Sequence, residues 1–275
     1  MLSLLLVMPL AGLAVFLAPG KVFAAEALDA CTIDLATAIP VHPAGEELLF
    51  EAEDGTSFRA SDLRIPESAE TSHAAVWPAN ETDVLAVPAG SEDRWGRVPS
   101  WIILRRDGSL QIWQSSLLEQ GAAFFAPLHA EAGCAEALRR AEGRARQEST
   151  GLWREGGAGL AYRTDRPDAF ADAEGRYVIA RGRVVSLGKT RSTRYLNFGR
   201  YWKTDVTGTV RVSDEDDFNA ALARRGWHLD GLAGRVVELR GVVELRDGPH
   251  IALRNPEQLV VLEDKRAGRE RQGNN

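Results

Sequence analysis

The sequence predicts a mainly β protein of the α+β class, built from two small β-barrels, the first of which ends in helices. Residues 47–113 hold short β-type runs separated by turn residues, and residues 115–147 change to helical spacing. Strand-like segments return over 177–253. The chain has 275 residues, and because one domain usually takes roughly 100–200 residues, two domains are expected.

The first predicted barrel opens with a hairpin. Residues 47–53 and 57–65 have β-type composition, and Asp54-Gly55 between them is a strong turn signal. Further strands are predicted over 83–87, 101–104 and 110–113.

Helices are predicted to follow these strands. Residues 115–120 read as a short helix, and residues 135–147 carry apolar side chains on one stripe, as an amphipathic helix requires. Trp153, after the second helix, is expected to fold back onto the barrel. The first domain is therefore predicted over 28–155.

The second domain is predicted over 174–263. Five strand-like segments with a helix at 214–225 after the third match the five-stranded, partly open barrel of the OB-fold. Residues 156–173 lack periodicity and are predicted to be a linker, and the polar tail, 264–275, is predicted to be disordered. The five segments are 177–186, 193–198, 207–212, 236–244 and 250–253.

The amino terminus resembles a secretory signal peptide. Residues 2–18 are almost wholly apolar, and small-residue cleavage patterns follow within 22–27. We therefore predict that residues 1–27 are removed and that the mature protein is periplasmic or secreted, without membrane contact. The alternative is a retained inner-membrane anchor, since the apolar run lies at the short limit of a membrane span.

Export changes the interpretation of the two cysteines. An oxidising compartment allows Cys31 and Cys134 to pair, whereas two isolated cysteines cannot form a tetrahedral metal site. A disulfide is predicted, and two unpaired buried thiols are the alternative.

Charge is unevenly distributed along the chain. The net charge of −6 argues against indiscriminate coating of nucleic acid, yet residues 176–203 contain eight basic and no acidic residues. Aromatic residues lie among them, a combination that binds single-stranded nucleic acid on OB barrels. The alternative is that the aromatics fill the barrel and the arginines only solvate its surface. The predicted binding residues are Arg191, Arg194, Tyr195, Arg200 and Lys203.

Three motifs occur in a recognisable order. Phe58-Arg59 precedes Leu63-Arg64-Ile65-Pro66-Glu67, Asp93-Arg94-Trp95-Gly96-Arg97 comes next, and residues 142–153 (EGRARQESTGLW) follow about fifty residues later. Together they resemble the staphylococcal-nuclease-like (thermonuclease) family of calcium-dependent phosphodiesterases. The resemblance implies that Arg59 and Arg97 bind the phosphate and that Glu67 positions or activates water. Two guanidinium groups suit a transition state that gathers charge on phosphate oxygens.

The calcium ligands implied by the resemblance are not matched. Arg64 stands where the family has an aspartate, and a cation there repels the metal. Glu46 substitutes for one aspartate of the family's earlier turn, and Asp62, on the same strand face as Arg64, is the remaining candidate ligand. Calcium is therefore the expected cofactor if the chain is active, and none is expected otherwise.

The function that follows is metal-assisted hydrolysis of nucleic acid on a divergent, exported hydrolase scaffold with a degenerate metal site. The alternatives are a protein that binds nucleic acid without catalysis and a periplasmic module that binds other proteins.

Overall fold

The computed structural model describes residues 28–45, 48–66, 83–106, 108–156, 161–201 and 203–262. These residues form a mainly β structure with a few helices. The predicted signal peptide and the predicted tail lie outside the described residues. Within the described part, none of the helices has both the length and the apolar character needed to cross a bilayer.

The first half of the described chain carries a nearly closed, barrel-like sheet. Its strands pair in the order β1-β6-β7-β4-β3-β2, with β8 on β7, and β4–β7 is the parallel pair. A separate two-stranded sheet joins β5 to β9. The bounds are β1 (Ile39–Pro40), β2 (His42–Pro43), β3 (Leu49–Glu51), β4 (Ser57–Ala60), β5 (Leu63–Arg64), β6 (Val84–Pro88), β7 (Arg97–Arg106), β8 (Ser109–Ile112) and β9 (Phe124–Phe125).

Strand alternation determines which side chains fill this barrel. On β4, Phe58 and Ala60 are buried, so Arg59 between them lies on the outer face. The hairpin predicted at Asp54-Gly55 is present: Gly55 has a φ of 83°, and Asp54 Oδ1 accepts the Thr56 N–H. The strands predicted over 47–53, 83–87, 101–104 and 110–113 are confirmed, although β7 is longer than the sequence indicated. The run predicted over 57–65 is instead divided into β4 and β5, because the chain turns at Asp62, whose φ is 59°. Asp62 therefore does not share a strand face with Arg64.

Two helices close the first barrel: α1 (Trp113–Glu119) and α2 (Ala132–Glu148). The predicted helices are confirmed, with the second starting three residues earlier than predicted. A disulfide between Cys31 and Cys134 ties the start of the described chain to the first turn of α2. The two cysteines are 103 positions apart in the sequence.

The second half carries an eight-stranded sheet and a third helix. Its strands pair in the order β10-β11-β15-β16-β14-β13-β12, with β17 on β15. The bounds are β10 (Ala161–Arg163), β11 (Tyr177–Arg183), β12 (Ser186–Lys189), β13 (Thr193–Asn197), β14 (Thr207–Arg211), α3 (Glu215–Ala223), β15 (Val236–Leu245), β16 (Pro249–Leu253) and β17 (Leu259–Val261).

Residues 161–173 of the segment predicted as a linker, 156–173, have regular structure instead. β10 pairs in parallel with β11, and the 3-10 helix Pro167–Ala173 buries Phe170 completely in the core. A three-residue strand and about two turns of 3-10 helix are too short to produce a periodic pattern. Residues 161–173 therefore pack with the second sheet.

Buried ion pairs join the two halves. Arg240 of β15 is 2% exposed, and its guanidinium contacts both carboxylate oxygens of Glu142 on α2, at 2.8 and 2.9 Å. Burial by itself would lower the pKa of Arg240, but Glu142 and Glu238 raise it, so the group stays charged. Trp153, predicted to fold onto the first barrel, packs in an apolar cluster at this junction with Phe124 and Ile179.

Candidate functional site

A cavity of about 610 Å³ lies between the two barrels. One wall consists of residues on β4, β5 and β7, in the turn before β7 and in the loop after β9. The other consists of residues on β11, β15 and β16 and in the segment that follows β16. We call this cavity the cleft. Its charged lining residues are Arg59, Asp62, Arg64, Asp93, Arg97, Glu244 and Arg254.

The two arginines predicted to bind phosphate lie on the same wall of the cleft. In the parallel β4–β7 pair, Arg59 is the register partner of Pro99, and Ser57 is the partner of Arg97. Residues two apart on a strand share a face, so Arg59 and Arg97 are diagonal neighbours on the outer face. The sheet thus brings together two residues that are 38 positions apart in the sequence.

The turn before β7 holds Arg97 in place. Asp93 accepts the backbone N–H groups of Trp95 and Arg97, at 2.8 and 3.1 Å, and its other oxygen accepts the Arg97 side chain at 2.9 Å from Nε. Gly96 permits this turn with a φ of 78°. Desolvation opposes these contacts, but together they outweigh it and hold the pKa of Asp93 below its usual value. Trp95 is 61% exposed and lies under the guanidinium groups of Arg94 and Arg97.

The second barrel contributes Tyr177 to the cleft. Its ring stacks on Phe124 with a centroid separation of 5.7 Å, and the Arg64 guanidinium lies 5.8 Å from the ring centre. The hydroxyl is buried and has no hydrogen-bond partner among the described residues. Burial raises the pKa of this hydroxyl, so it remains a neutral donor.

Asp62, a candidate metal ligand, is occupied by the backbone. Its carboxylate accepts the N–H groups of Leu128, His129 and Ala130 at 2.8 to 3.1 Å, and its own φ is 59°. Burial raises the pKa of this carboxyl, and the N–H donors act in the opposite direction. Asp62 therefore fixes the loop that forms one edge of the cleft.

The described residues do not fit a calcium site. They contain no group of three or more His, Cys, Asp or Glu side chains that could hold a metal ion. Arg64, at the position of a family ligand, carries a positive charge, and Asp62 is already satisfied by N–H donors. Glu46 and Glu67 lie outside the described residues.

The five residues predicted to bind nucleic acid on the second barrel do not form one surface. Arg191 is exposed in the β12–β13 turn, whereas Arg200 and Lys203 are exposed in the β13–β14 turn at the other end of β13. Arg194 is 13% exposed and is bound by Glu215 and Asp230, each at 2.8 Å. Its charge is therefore compensated internally.

Tyr195 lines a second cavity, of about 280 Å³, on the outer face of the second sheet. We call it the sheet cavity. None of its lining residues is acidic, and Ala252 and Arg254 line both it and the cleft. The lining residues are Thr193, Tyr195, Thr209, Arg211, Arg246, His250, Ala252, Leu253 and Arg254.

Sequence reasoning missed Arg254 and Tyr177 as lining residues of the cleft. Arg254 directly follows a strand in which alternate side chains are buried, and Ala252 points outward. Because Arg254 is two residues after Ala252, the same alternation predicts that it points outward too. For Tyr177 no sequence signal existed, because its role depends on contact with Phe124 of the other barrel.

The chain matches no protein-family model and no curated protein.

Proposed function

We propose that the cleft binds the phosphodiester backbone of single-stranded nucleic acid, on a divergent nuclease-like scaffold of two OB-type barrels. The observation that carries this proposal is the placement of Arg59 and Arg97 side by side on the outer face of one sheet, facing a single cavity. Paired guanidinium groups are well suited to phosphate because each presents several N–H donors in a fixed plane.

The balance of charge in the cleft supports an anionic ligand. Its three carboxylates already have partners: Asp62 accepts backbone N–H groups, Asp93 pairs with Arg97, and Glu244 pairs with Arg246 at 3.1 Å. Arg64 and Arg254 are exposed and make no ion pair within the part of the chain that the structure describes. Positive charge that is not compensated locally attracts phosphate and releases counterions on binding.

Hydrolysis of the bound strand is the second candidate. It is favoured by the same arginine pair, since the resembled family uses such a pair at the phosphate. The described residues offer no fitting calcium ligands. Binding of nucleic acid is therefore the first candidate function, and an assay with calcium tests hydrolysis.

The test measures binding of fluorescent single-stranded DNA and RNA to the mature protein at low salt. Arg97→Gln is expected to weaken binding about tenfold or more, because a hydrogen bond to a charged group contributes roughly 1.5–3 kcal/mol. Arg105→Gln is the matched control, since Arg105 lies near the other end of β7, pairs with Asp83 and does not line the cleft.

Two results would contradict the proposal: no binding to either nucleic acid, or equal effects of the two substitutions. Incubation of the same strands with calcium, and separately with a chelator, tests hydrolysis. Cleavage that needs calcium and disappears in Arg97→Gln would assign the hydrolytic function instead.

A further inference from the structure

The sheet cavity and the cleft are adjoining parts of one surface. Tyr195 pairs with Thr209 across β13–β14, and Thr209 pairs with Ala252 across β14–β16. On the far side, Val242 of β15 pairs with Tyr177 of β11. All five line one cavity or the other, so the outer face of the second sheet continues from Tyr195 into the cleft.

Alternation separates this face from the core. The neighbours of these residues on the same strands are fully or almost fully buried, and they point into the second barrel. With about 4.8 Å between adjacent strands, the face spans roughly 20 Å from β13 to β11. That length exceeds a single nucleotide. The buried neighbours are Val178, Leu196, Val210, Val243 and Ile251.

Several polar groups along this face lack a hydrogen-bond or ion-pair partner among the described residues. Arg254 is exposed, lies where the two cavities adjoin, and makes no side-chain ion pair in the described chain. His250 shares a hydrogen bond with Thr209 Oγ1 through Nε2 at 2.9 Å, while its buried Nδ1 makes no hydrogen bond and has Glu244 Oε2 at 3.9 Å. The buried Tyr177 hydroxyl is likewise unpartnered. Buried polar groups normally have partners, which points to a polar ligand along this path.

We infer that the sheet cavity is a second subsite for the same single-stranded nucleic acid, in which Tyr195 stacks on a base and Arg254 binds the phosphate that leads into the cleft. This inference rests on the proposed function. Stacking on an aromatic side chain requires an unstacked base, so the ligand is a single strand rather than a duplex. Arg254 sets the path of the strand between the two barrels.

The experiment compares a short ligand with a long one, using both DNA and RNA. A thymidine dinucleotide reaches only the cleft, whereas an oligothymidylate or oligouridylate of about 12 nucleotides is within the roughly 4–16 nucleotides that an OB-type barrel occupies. Arg254→Gln and Tyr195→Ala are each expected to weaken binding of the long strands about tenfold. Tyr195→Ala should leave dinucleotide binding unchanged, because Tyr195 lines the sheet cavity and not the cleft. Tyr195→Phe should retain the wild-type affinity, because it keeps the ring.

Salt dependence distinguishes a phosphate contact from a structural effect. For Arg254→Gln, the slope of log affinity against log salt should become shallower by about 0.7, the value for one phosphate of a single strand. Arg166→Gln removes the same charge from an exposed arginine outside both cavities and should change neither affinity nor slope.

The outcomes separate the two proposals. If Arg97→Gln weakens both ligands but Arg254→Gln and Tyr195→Ala do not affect the long strands, the second subsite is overturned and the proposed function stands. Equal losses of affinity in Arg166→Gln and Arg254→Gln would also overturn it, because they indicate nonspecific attraction. If wild-type protein binds no strand, both proposals fail.

Discussion

At the scale of single residues, the role of a carboxylate depends on which donors reach it. Asp62 and Asp93 both line the cleft, yet neither is available to a ligand. Asp93 is bound by the Arg97 side chain, and Asp62 accepts three successive backbone N–H groups. The first contact orients a phosphate-binding side chain, and the second fixes a loop.

Replacing Asp62 tests its structural role. Asp62→Ala leaves buried N–H groups of residues 128–130 without an acceptor, and we expect the free energy of unfolding to fall by about 3 kcal/mol. Asp62→Asn keeps one acceptor oxygen and tolerates the positive φ, so its loss should be smaller. Urea unfolding of both variants measures the difference. Equal stability of Asp62→Ala and wild type would contradict this role.

At the scale of elements, β15 serves both barrels. Its inward side chains, such as Val237 and Leu239, fill the second core, while Glu238 and Arg240 face α2. Alternating charged residues in the middle of an otherwise apolar strand are costly to bury unless they are paired. Their pairing with α2 is what holds the second wall of the cleft against the first.

Removing Arg240 should therefore destabilise the junction strongly. Arg240→Ala removes the fully buried partner that Glu142 and Glu238 share, and Arg146 and Arg181, which are more exposed, then remain as their partners. We expect this loss to cost about 3–5 kcal/mol. Arg181→Ala is the matched control, because the Arg181 side chain is 39% exposed at its pair with Glu238, and it should cost about 1 kcal/mol or less. Denaturant unfolding followed by intrinsic tryptophan fluorescence provides the measurement. Similar losses in the two variants would show that the buried network is not what joins the barrels.

At the scale of the whole molecule, ion pairs between buried glutamates and arginines make the free energy of unfolding depend on pH. Burial alone would raise the pKa values of Glu238 and Glu257, but nearby arginines outweigh it and both pKa values lie below the usual value. For Glu257 the arginines are Arg139 and Arg225. The unfolded chain binds protons at these carboxyls more readily than the folded chain does. Their contribution to the free energy of unfolding is therefore complete at a pH above the pKa of the unfolded state, and it is lost as the pH falls through the pKa of the folded state.

Acid should consequently weaken the association of the two barrels. We expect the free energy of unfolding to decrease as the pH falls below about 4.5, the usual range for glutamate. The pKa of Asp62 is raised by burial, so this carboxyl changes the stability in the opposite direction as the pH falls. The effect of the glutamates is therefore isolated by comparing wild type with Glu238→Gln and Glu257→Gln. Each variant should be less stable at neutral pH and show a flatter pH profile in urea unfolding. A profile as steep as that of wild type would contradict the assignment.

Much of the secondary structure could be predicted from the sequence, because it depends on local information. Turn residues predicted the hairpin around Asp54-Gly55, and periodicity and composition predicted the helix that became α2 and five of the eight strands of the second sheet. β10, β12 and β17 were not predicted. The linker prediction at 156–173 was wrong over residues 161–173, since β10 is an edge strand of three residues and carries almost no periodic signal.

The sequence by itself determined the longer strands and helices in their order, and the candidate arginines Arg59 and Arg97. Only the tertiary structure decided that these two share one face, that Asp62 is satisfied by a loop, and that Tyr177 and Arg254 complete the cleft. The reason is physical: alternation and turn chemistry act between neighbours in the chain, whereas strand register and buried ion pairs join residues that are distant in sequence.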